Sequence, residues 1–481
     1  GNMAVPAPTP LPKRTLAVLL LIQFCEASGL VMVMPLMPRL LELHWHVAPA
    51  TLGVALGALD STFSGCKFVS SIMTGSLSDV FGRKPLLICG LFTNSVAFFV
   101  LGFMDQYYSG FLVMFFMSIV NGNLGLIKSA MADVTDASNR AVAFSYLGAS
   151  FAAARTSSGF LGSSVYKLGE VINPENAFVV PLWFAAGINL GAMILGAILV
   201  KPSNKPEAEA SEVSRATKIR RQLAAWVTKT QIGLKQVKNS PILKRLFILN
   251  CLCSTCNGAF LTGLLLFSTS PAEKNGLGFG PLVSGILFGV WGLIGVTFQM
   301  LVFKKLSRRI GTRKVYHFGA SCACVGCLLV PAALLAKPAG DVALWTALLV
   351  ALTPAAIGFM ILLPVGSTMI ANSADPEFMG VTQGTGQSLQ SLARAAGPVV
   401  IGGLTSLLLQ VHLPFLIFLV LITGYLGALI ISLPLPLSVE GGTTAKVVDL
   451  EKSERDKESG GDKMGDGTSL LGAAVAEGEA T

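Results

Sequence analysis

The sequence predicts an all-α membrane protein, with twelve transmembrane helices in two pseudo-symmetric six-helix bundles. Three observations carry that reading. Apolar residues make up 52% of the 481 and charged residues only 13%, whereas soluble domains carry about a quarter charged residues. Apolar runs long enough to cross a bilayer recur along the whole chain. The segment Gly75–Lys84, GSLSDVFGRK, lies between two such runs, and a worn copy, LSRRIGTR at Leu306–Arg313, lies between two others.

The mean hydropathy of +0.67 is more than a water-soluble core can hide, so the excess faces lipid. The spans are read at 14–36, 51–74, 85–104, 108–131, 141–165, 177–200, 243–268, 281–303, 315–336, 342–370, 380–409 and 411–433. Lys13-Arg14 opens the first, which is too long for a signal-peptide core, so no cleavable signal is expected. The signature segment separates the second and third, and its copy the eighth and ninth. Polar stretches around Asp136 and Asp375 separate the fourth from the fifth and the tenth from the eleventh. Residues 1–13 then form a cytoplasmic N-terminus, 14–200 the first bundle and 243–436 the second. Residues 201–242 form a basic cytoplasmic linker, helical from Ala216 to Lys238. Residues 437–481 are a charged, Gly-rich tail expected to be disordered.

The net charge of +9 raises the question of a nucleic-acid partner, and the positions answer it. Of 35 Lys and Arg, 27 fall in the termini and in alternate loops, 4 in the opposite loops and 4 inside spans. This is the positive-inside asymmetry; it places both termini in the cytoplasm and leaves no charge for nucleic acid to explain. The nine cysteines include two C-x-C-x-x-C trios, at Cys251, Cys253, Cys256 and at Cys322, Cys324, Cys327. Soft-metal ligation needs one shared face, but positions i and i+2 of a helix point apart, so these read as small packing residues. No metal or other cofactor is expected. Nor is an enzyme, because no nucleophile–base set or phosphate loop appears.

The repeat extends beyond the loop. At an offset of 239, residues 132–142 lie over 371–381, Asp136 over Asp375, Arg155 over Arg394 and Gly159 over Pro398. Two halves related by an axis along the membrane normal are a known transporter arrangement.

These residues resemble the major facilitator superfamily. GSLSDVFGRK matches its loop signature G-x-x-x-D-[RK]-x-G-R-[RK], with Val80 in place of a basic residue. CEASGLVMVMPLMPRLL in the first helix is similar to tetracycline-efflux and drug:proton antiporter-1 proteins, with Glu26 where they carry Asp and with Gly29, Pro35 and Pro38 matching. The fifth-helix antiporter signature G-P-x-x-G-G is Ser158-Gly159-Phe160-Leu161-Gly162-Ser163 here, which departs at the Pro and the last Gly. The resemblance covers residues 14–436. It implies the major facilitator fold, a monomer, and transport of a small molecule. It also implies a conformational latch of Gly75, Asp79, Gly82, Arg83 and Lys84, with Asp133 as the partner of the arginine.

Charged groups at mid-bilayer are costly and usually face a cavity or a partner. Glu26 lies near the middle of helix 1 and Asp60 near the middle of helix 2. Lys67 is two turns from Asp60 on one face and is available to pair with it. Arg155 and Arg394 lie roughly 20 Å into helices 5 and 11. Loss of water destabilises a carboxylate, so a buried carboxyl takes up a proton more readily. Glu26 is therefore the first candidate for proton coupling and Asp60 the second. Arg155, Arg394, Glu26, Gln387 and Asn123 are the candidate substrate-binding residues. Guanidinium groups at repeat-equivalent sites suit a carboxylate, phosphate or sulfonate, or else pair with the carboxyls. Asn94, Asn121, Gln299, Gln383 and Gln390 are candidates for a polar pathway, and Phe359, Met360 and Met369 for apolar contact.

Three readings stay open. The first is a proton-coupled antiporter of the drug or metabolite efflux type, exchanging small organic molecules by alternating access. The second is an organic-anion transporter with Arg155 and Arg394 on the anionic group. The third is a receptor or scaffold that does not transport. DGTSLL at Asp466–Leu471 fits an acidic di-leucine sorting pattern, so the host membrane is either the plasma membrane or an endomembrane such as the lysosome or vacuole.

Overall fold

The computed structural model describes residues 12–135, 140–200, 224, 227–228, 231–374 and 379–440. Within them, the side chains of 71–72, 75–76, 79–80, 132–133, 140–142, 144–145, 308, 379–380, 438 and 440 lie outside the description. Every regular element among the described residues is helical.

The first half contains α1 (Lys13–Val33), α2 (Leu52–Phe81), α3 (Arg83–Leu101), α4 (Tyr107–Val120), α5 (Asn123–Val134), α6 (Arg140–Ile172) and α7 (Val179–Leu199). The second contains α8 (Pro241–Thr269), α9 (Pro281–Phe298), α10 (Lys304–Ala332), α11 (Asp341–Ser373), α12 (Met379–Gln410) and α13 (Ile417–Ser432). Ten of the rods are long and apolar enough to cross a membrane. The other two long rods, α2 and α6, have 30 and 33 residues. They reach roughly 45–50 Å at helical rise but interrupt their apolar runs with Asp60, Lys67, Arg155 and many Ser and Gly.

Local chemistry sets the ends. Ser240 caps α8 by accepting from the Leu243 amide (3.3 Å), with Pro241 at the first helical position, where its missing N–H is no loss. The chain after helix 1 is tighter than a free loop: short 3₁₀, α and π turns carry it on from Met34 to His44.

The signature segment is also shorter than expected. Helix α2 runs to Phe81 and α3 starts at Arg83, so Gly82 alone makes the turn, at φ 83° and ψ 162°. In the worn copy Gly311 interrupts α10 at φ 80° and ψ 162°. The two halves therefore turn at the same, essentially glycine-only backbone conformation. Lys84 follows Gly82 into α3, whereas Arg313 donates to the Leu435 carbonyl (2.7 Å) and ties α10 to the end of the second half. The side chains of Asp79 and Asp133, on which the expected latch with Arg83 depends, lie outside the described residues, as do Asp136, Asp375 and the DGTSLL segment. Gly75 sits inside α2.

The expected fourth span is broken. Asn121 leaves the helix at φ −80° and ψ 84°, and the Gly122 amide turns back to the Val120 carbonyl (3.0 Å) before α5 starts at Asn123.

Packing differs between the halves. The second half has one continuous apolar core around Phe260, Trp291, Tyr316 and Phe418. The first half has two, one around Leu19, Leu91 and Ile127 and one around Met32, Leu56 and Phe98. A buried polar layer of Glu26, Asn94, Asn121 and Asn123 lies between them. Leu265 and Leu266 of α8 join the second of these clusters, so apolar contact crosses between the halves there.

Candidate functional site

The halves meet through two equivalent helix pairs. Helix α6 packs on α9, where a Cβ at Gly159 would collide with the backbone of Gly289. Helix α12 packs on α2, where Gly53 abuts Gly402 and Gly57 abuts Pro398. The Val54 amide donates to Ser406 Oγ (3.2 Å) and the Val399 amide to Ser61 Oγ (3.1 Å). These contacts all lie in the half of each helix away from Gly82 and Gly311. That far end is sealed by close backbone approach, which small residues permit. Gly159 and Ser163, the departures from the antiporter signature, sit in this seal: Ser163 donates to the Gly159 carbonyl (2.7 Å), and α6 runs unbroken.

The charges converge just inside the seal. Asp60 accepts from the Thr262 hydroxyl of α8 at 2.8 Å and has Arg394 as its charged neighbour. Arg394 also faces Lys67 and Arg155. Lys67 in turn faces Glu26 and lies 4.4 Å over the Phe63 ring. The run Glu26–Lys67–Arg394–Asp60 therefore links three helices, α1, α2 and α12, and both halves. Asp60, Lys67, Arg155 and Arg394 keep partial accessibility, while Glu26 is 3% exposed. Groups from opposite halves that meet while still accessible line a space between the bundles rather than a lipid face.

Two sequence expectations change here. Asp60 does not take Lys67 as its partner; it uses Thr262 and Arg394, because α8 and α12 bring donors closer than the next two turns of its own helix. The arginines are not a matched clamp either. Arg394 shares its charge with Asp60, whereas Arg155 stacks on rings: Trp291 at 5.0 Å, Phe359 at 5.1 Å and Phe151 at 6.0 Å. Among the described residues Arg155 forms no ion pair and no hydrogen bond.

The proposed substrate residues divide. Asn123 is buried with Glu26 at the α4–α5 break, not beside the arginines. The Asn94, Asn121 and Asn123 amides all face the Glu26 carboxyl, and Asn121 also donates to Asn94 Oδ1 (3.0 Å). Yet Glu26 Oε2, Asn94 Nδ2 and both amide atoms of Asn123 lack a partner at hydrogen-bonding geometry. Gln387 is exposed on α12, two turns from Arg394. Gln383 donates to the Ser367 carbonyl (2.8 Å) and fastens α12 to α11. Gln390 is buried where Ser254 donates to its carbonyl (2.9 Å). Phe359 reaches the site through Arg155; Met369 is buried core.

Sequence reasoning missed Thr262, Trp291 and Phe151. Thr262 is a lone hydroxyl in the apolar run AFLTGLLL, and that was its only signal. The cysteines form no metal cluster among the described residues. Cys253 instead makes a 2.9 Å hydrogen bond with Tyr316.

Two six-helix halves that meet over a cluster of charged side chains define a membrane transporter architecture. Residues 19–398 match the Major Facilitator Superfamily, and the chain belongs to that family of transporters, not enzymes. It is an integral multi-pass membrane protein. It is 23% identical to the tetracycline resistance protein, class H, of Pasteurella multocida over 396 residues, covering 80% of this chain and 88% of that one. It is 24% identical to multidrug resistance protein 2 of Bacillus subtilis (strain 168) over 416 residues, covering 84% and 92%. The crystal structure of a D-xylose-proton symporter superposes with a TM-score of 0.67 at 15% identity, covering 90% of this chain and all of that one. That of the human organic anion transporter MFSD10 (TETRAN) superposes with a TM-score of 0.61 at 20% identity, covering 88% of this chain and 100% of that one.

Proposed function

We propose that this chain is a proton-coupled antiporter of small organic molecules, of the drug or metabolite efflux type. The observation that carries the reading is the run Glu26–Lys67–Arg394–Asp60, in which each carboxyl faces a cation shared with the rest of the site. Protonating Glu26 releases Lys67. Protonating Asp60 weakens its charge-assisted bond to Thr262, since charged acceptors bind about twice as strongly as neutral ones. That bond joins the halves, so proton uptake loosens the seal at the far end and the bundles rock about the central site. The names of the sequence relatives, a tetracycline resistance protein and a multidrug resistance protein, support the same reading.

The Lys and Arg distribution supports a cytoplasmic position for Gly82, Gly311 and both termini. With the far end sealed, this arrangement is then the inward-facing state. Glu26, Lys67, Arg394 and Asp60 serve coupling, and Arg155 serves the substrate. Asn123 supports Glu26, and Gln387 borders the cytoplasmic approach. The signature turn with Gly75, Asp79, Arg83, Lys84 and Asp133 belongs to the cytoplasmic gate.

The test is Glu26→Gln in proteoliposomes with tetracycline as the probe. Binding should persist while transport driven by a pH gradient disappears. Undiminished pH-driven transport would remove Glu26 from the mechanism.

A further inference from the structure

The central site is unbalanced in charge and in surface. It holds three cations, Lys67, Arg155 and Arg394, against two carboxyls, Glu26 and Asp60. Glu26 faces Lys67 and Asp60 faces Arg394. Arg155 is left over, and its charged neighbour is another arginine. An uncompensated guanidinium at mid-bilayer depth is costly, and an anion brought in from outside offsets it.

The rings around Arg155 say what else that anion carries. Trp291 and Phe359 take the guanidinium from two elements, α9 and α11, while Phe151 belongs to its own helix α6. Trp291 packs edge-on to Phe359 at 4.9 Å, and Phe288 and Phe260 extend the aromatic wall. Stacking covers the faces of a guanidinium and leaves its N–H edge free, the edge that grips a carboxylate or sulfonate with two bonds. Trp291 adds a second donor: the residue is 1% exposed, and its Nε1–H has no acceptor among the described residues. Such donors usually find a partner when buried. A flat ring bearing one acidic group satisfies the guanidinium edge and the aromatic wall together. A cationic ligand would meet like charge on three sides.

We propose that the central site selects planar aromatic organic anions, with the acidic group on Arg155 and the ring against Trp291 and Phe359. This deepens the transporter reading and rests on it. The test uses two dyes sharing one ring system, anionic fluorescein and cationic rhodamine 123, in equilibrium binding by fluorescence anisotropy and in proteoliposome counterflow. Fluorescein should bind about 10- to 100-fold more tightly than rhodamine 123, the ratio expected from hydrogen bonds to a charged group. Arg155→Met should abolish that preference. Arg155→Lys, which keeps the charge but loses the planar fork, should weaken fluorescein about tenfold or more. Trp291→Phe, which keeps a ring but loses the N–H, should weaken it less. Monodisperse variants with wild-type melting temperatures exclude misfolding. Equal or tighter binding of rhodamine 123, or unchanged fluorescein binding by folded Arg155→Met, overturns the proposal. Counterflow of rhodamine 123 alone overturns it while leaving the transporter reading intact. Arg155-dependent fluorescein binding without counterflow upholds the site and counts against transport.

Discussion

Asp60 and Thr262 stand 202 positions apart in sequence and belong to opposite halves, yet Thr262 Oγ1 donates to Asp60 Oδ2 at 2.8 Å. Hydrogen bonds to charged groups contribute about 1.5–3 kcal/mol. Thr262→Val keeps the shape and removes the donor, so the sealed far end should lose roughly that much relative to the open one. The far-end-open population is expected to rise about 10- to 100-fold. Spin labels at the far ends of α2 and α8 would read this by distance distributions. An unchanged distribution would show that the bond does not bias the halves.

Backbone contact makes the seal a stricter element. A Cβ at Gly402 would run into the Gly53 carbonyl, and one at Gly57 into the Pro398 carbonyl. Neither obstacle is a side chain that can rotate away. Gly402→Ala and Gly57→Ala should each cost the sealed state about 1–3 kcal/mol while leaving each half intact. With the native cysteines replaced, Ser61→Cys placed in this seam should react several-fold faster with a membrane-impermeant maleimide added from the far side. Equal rates would mean that the helices slide to absorb the methyl group.

The paired turns at Gly82 and Gly311 bear on folding as well as on gating. Their φ of 83° and 80°, with ψ of 162° in both, lies outside the left-handed helical region that Asn tolerates. Gly82→Ala and Gly311→Ala should therefore each destabilise by about 1–3 kcal/mol, and Gly82→Asn should not rescue. The nearest atom to a Cβ at Gly82 is Pro85 Cδ at 3.8 Å, so the penalty is backbone strain and not a clash. Melting in detergent measures it. An Asn variant as stable as wild type would contradict this conformation.

These particulars show what was legible in the sequence. The twelve rods were visible because a bilayer imposes both length and composition. The repeat exposed Gly82 with Gly311 and Arg155 with Arg394, since each half repeats the same turn and the same helix. The break at Asn121-Gly122 was hidden, because two polar residues barely change the hydropathy of a long apolar run, and what ends the helix is a local backbone choice. The partner of Asp60 was hidden too. Periodicity reports which residues share one helix face, such as Lys67, but not which helix arrives opposite. The unlike surroundings of Arg155 and Arg394 come from Trp291, Phe359 and Phe151 on three helices, a convergence that no single segment encodes.

The polar layer that divides the first half's core leads to the last prediction. Asn123 is 0% exposed, and among the described residues neither amide atom has a partner at hydrogen-bonding geometry. An unsatisfied buried polar group costs about 1–3 kcal/mol, and apolar clusters around Met32 and around Ile127 lie on either side. Leucine keeps the branched outline of asparagine and its number of side-chain heavy atoms, with bulkier methyl ends, and would join those clusters. Asn123→Leu should therefore raise the melting temperature by a few degrees, at about 2–4 °C per kcal/mol for a half of this size. The same change strips one amide from the surroundings of Glu26, so pH-driven transport should fall sharply. Stability and function then move in opposite directions, as they do where a core keeps polar groups for use rather than for folding. A lower melting temperature would instead mean that Asn123 is satisfied in the folded protein and that the layer holds the broken span together.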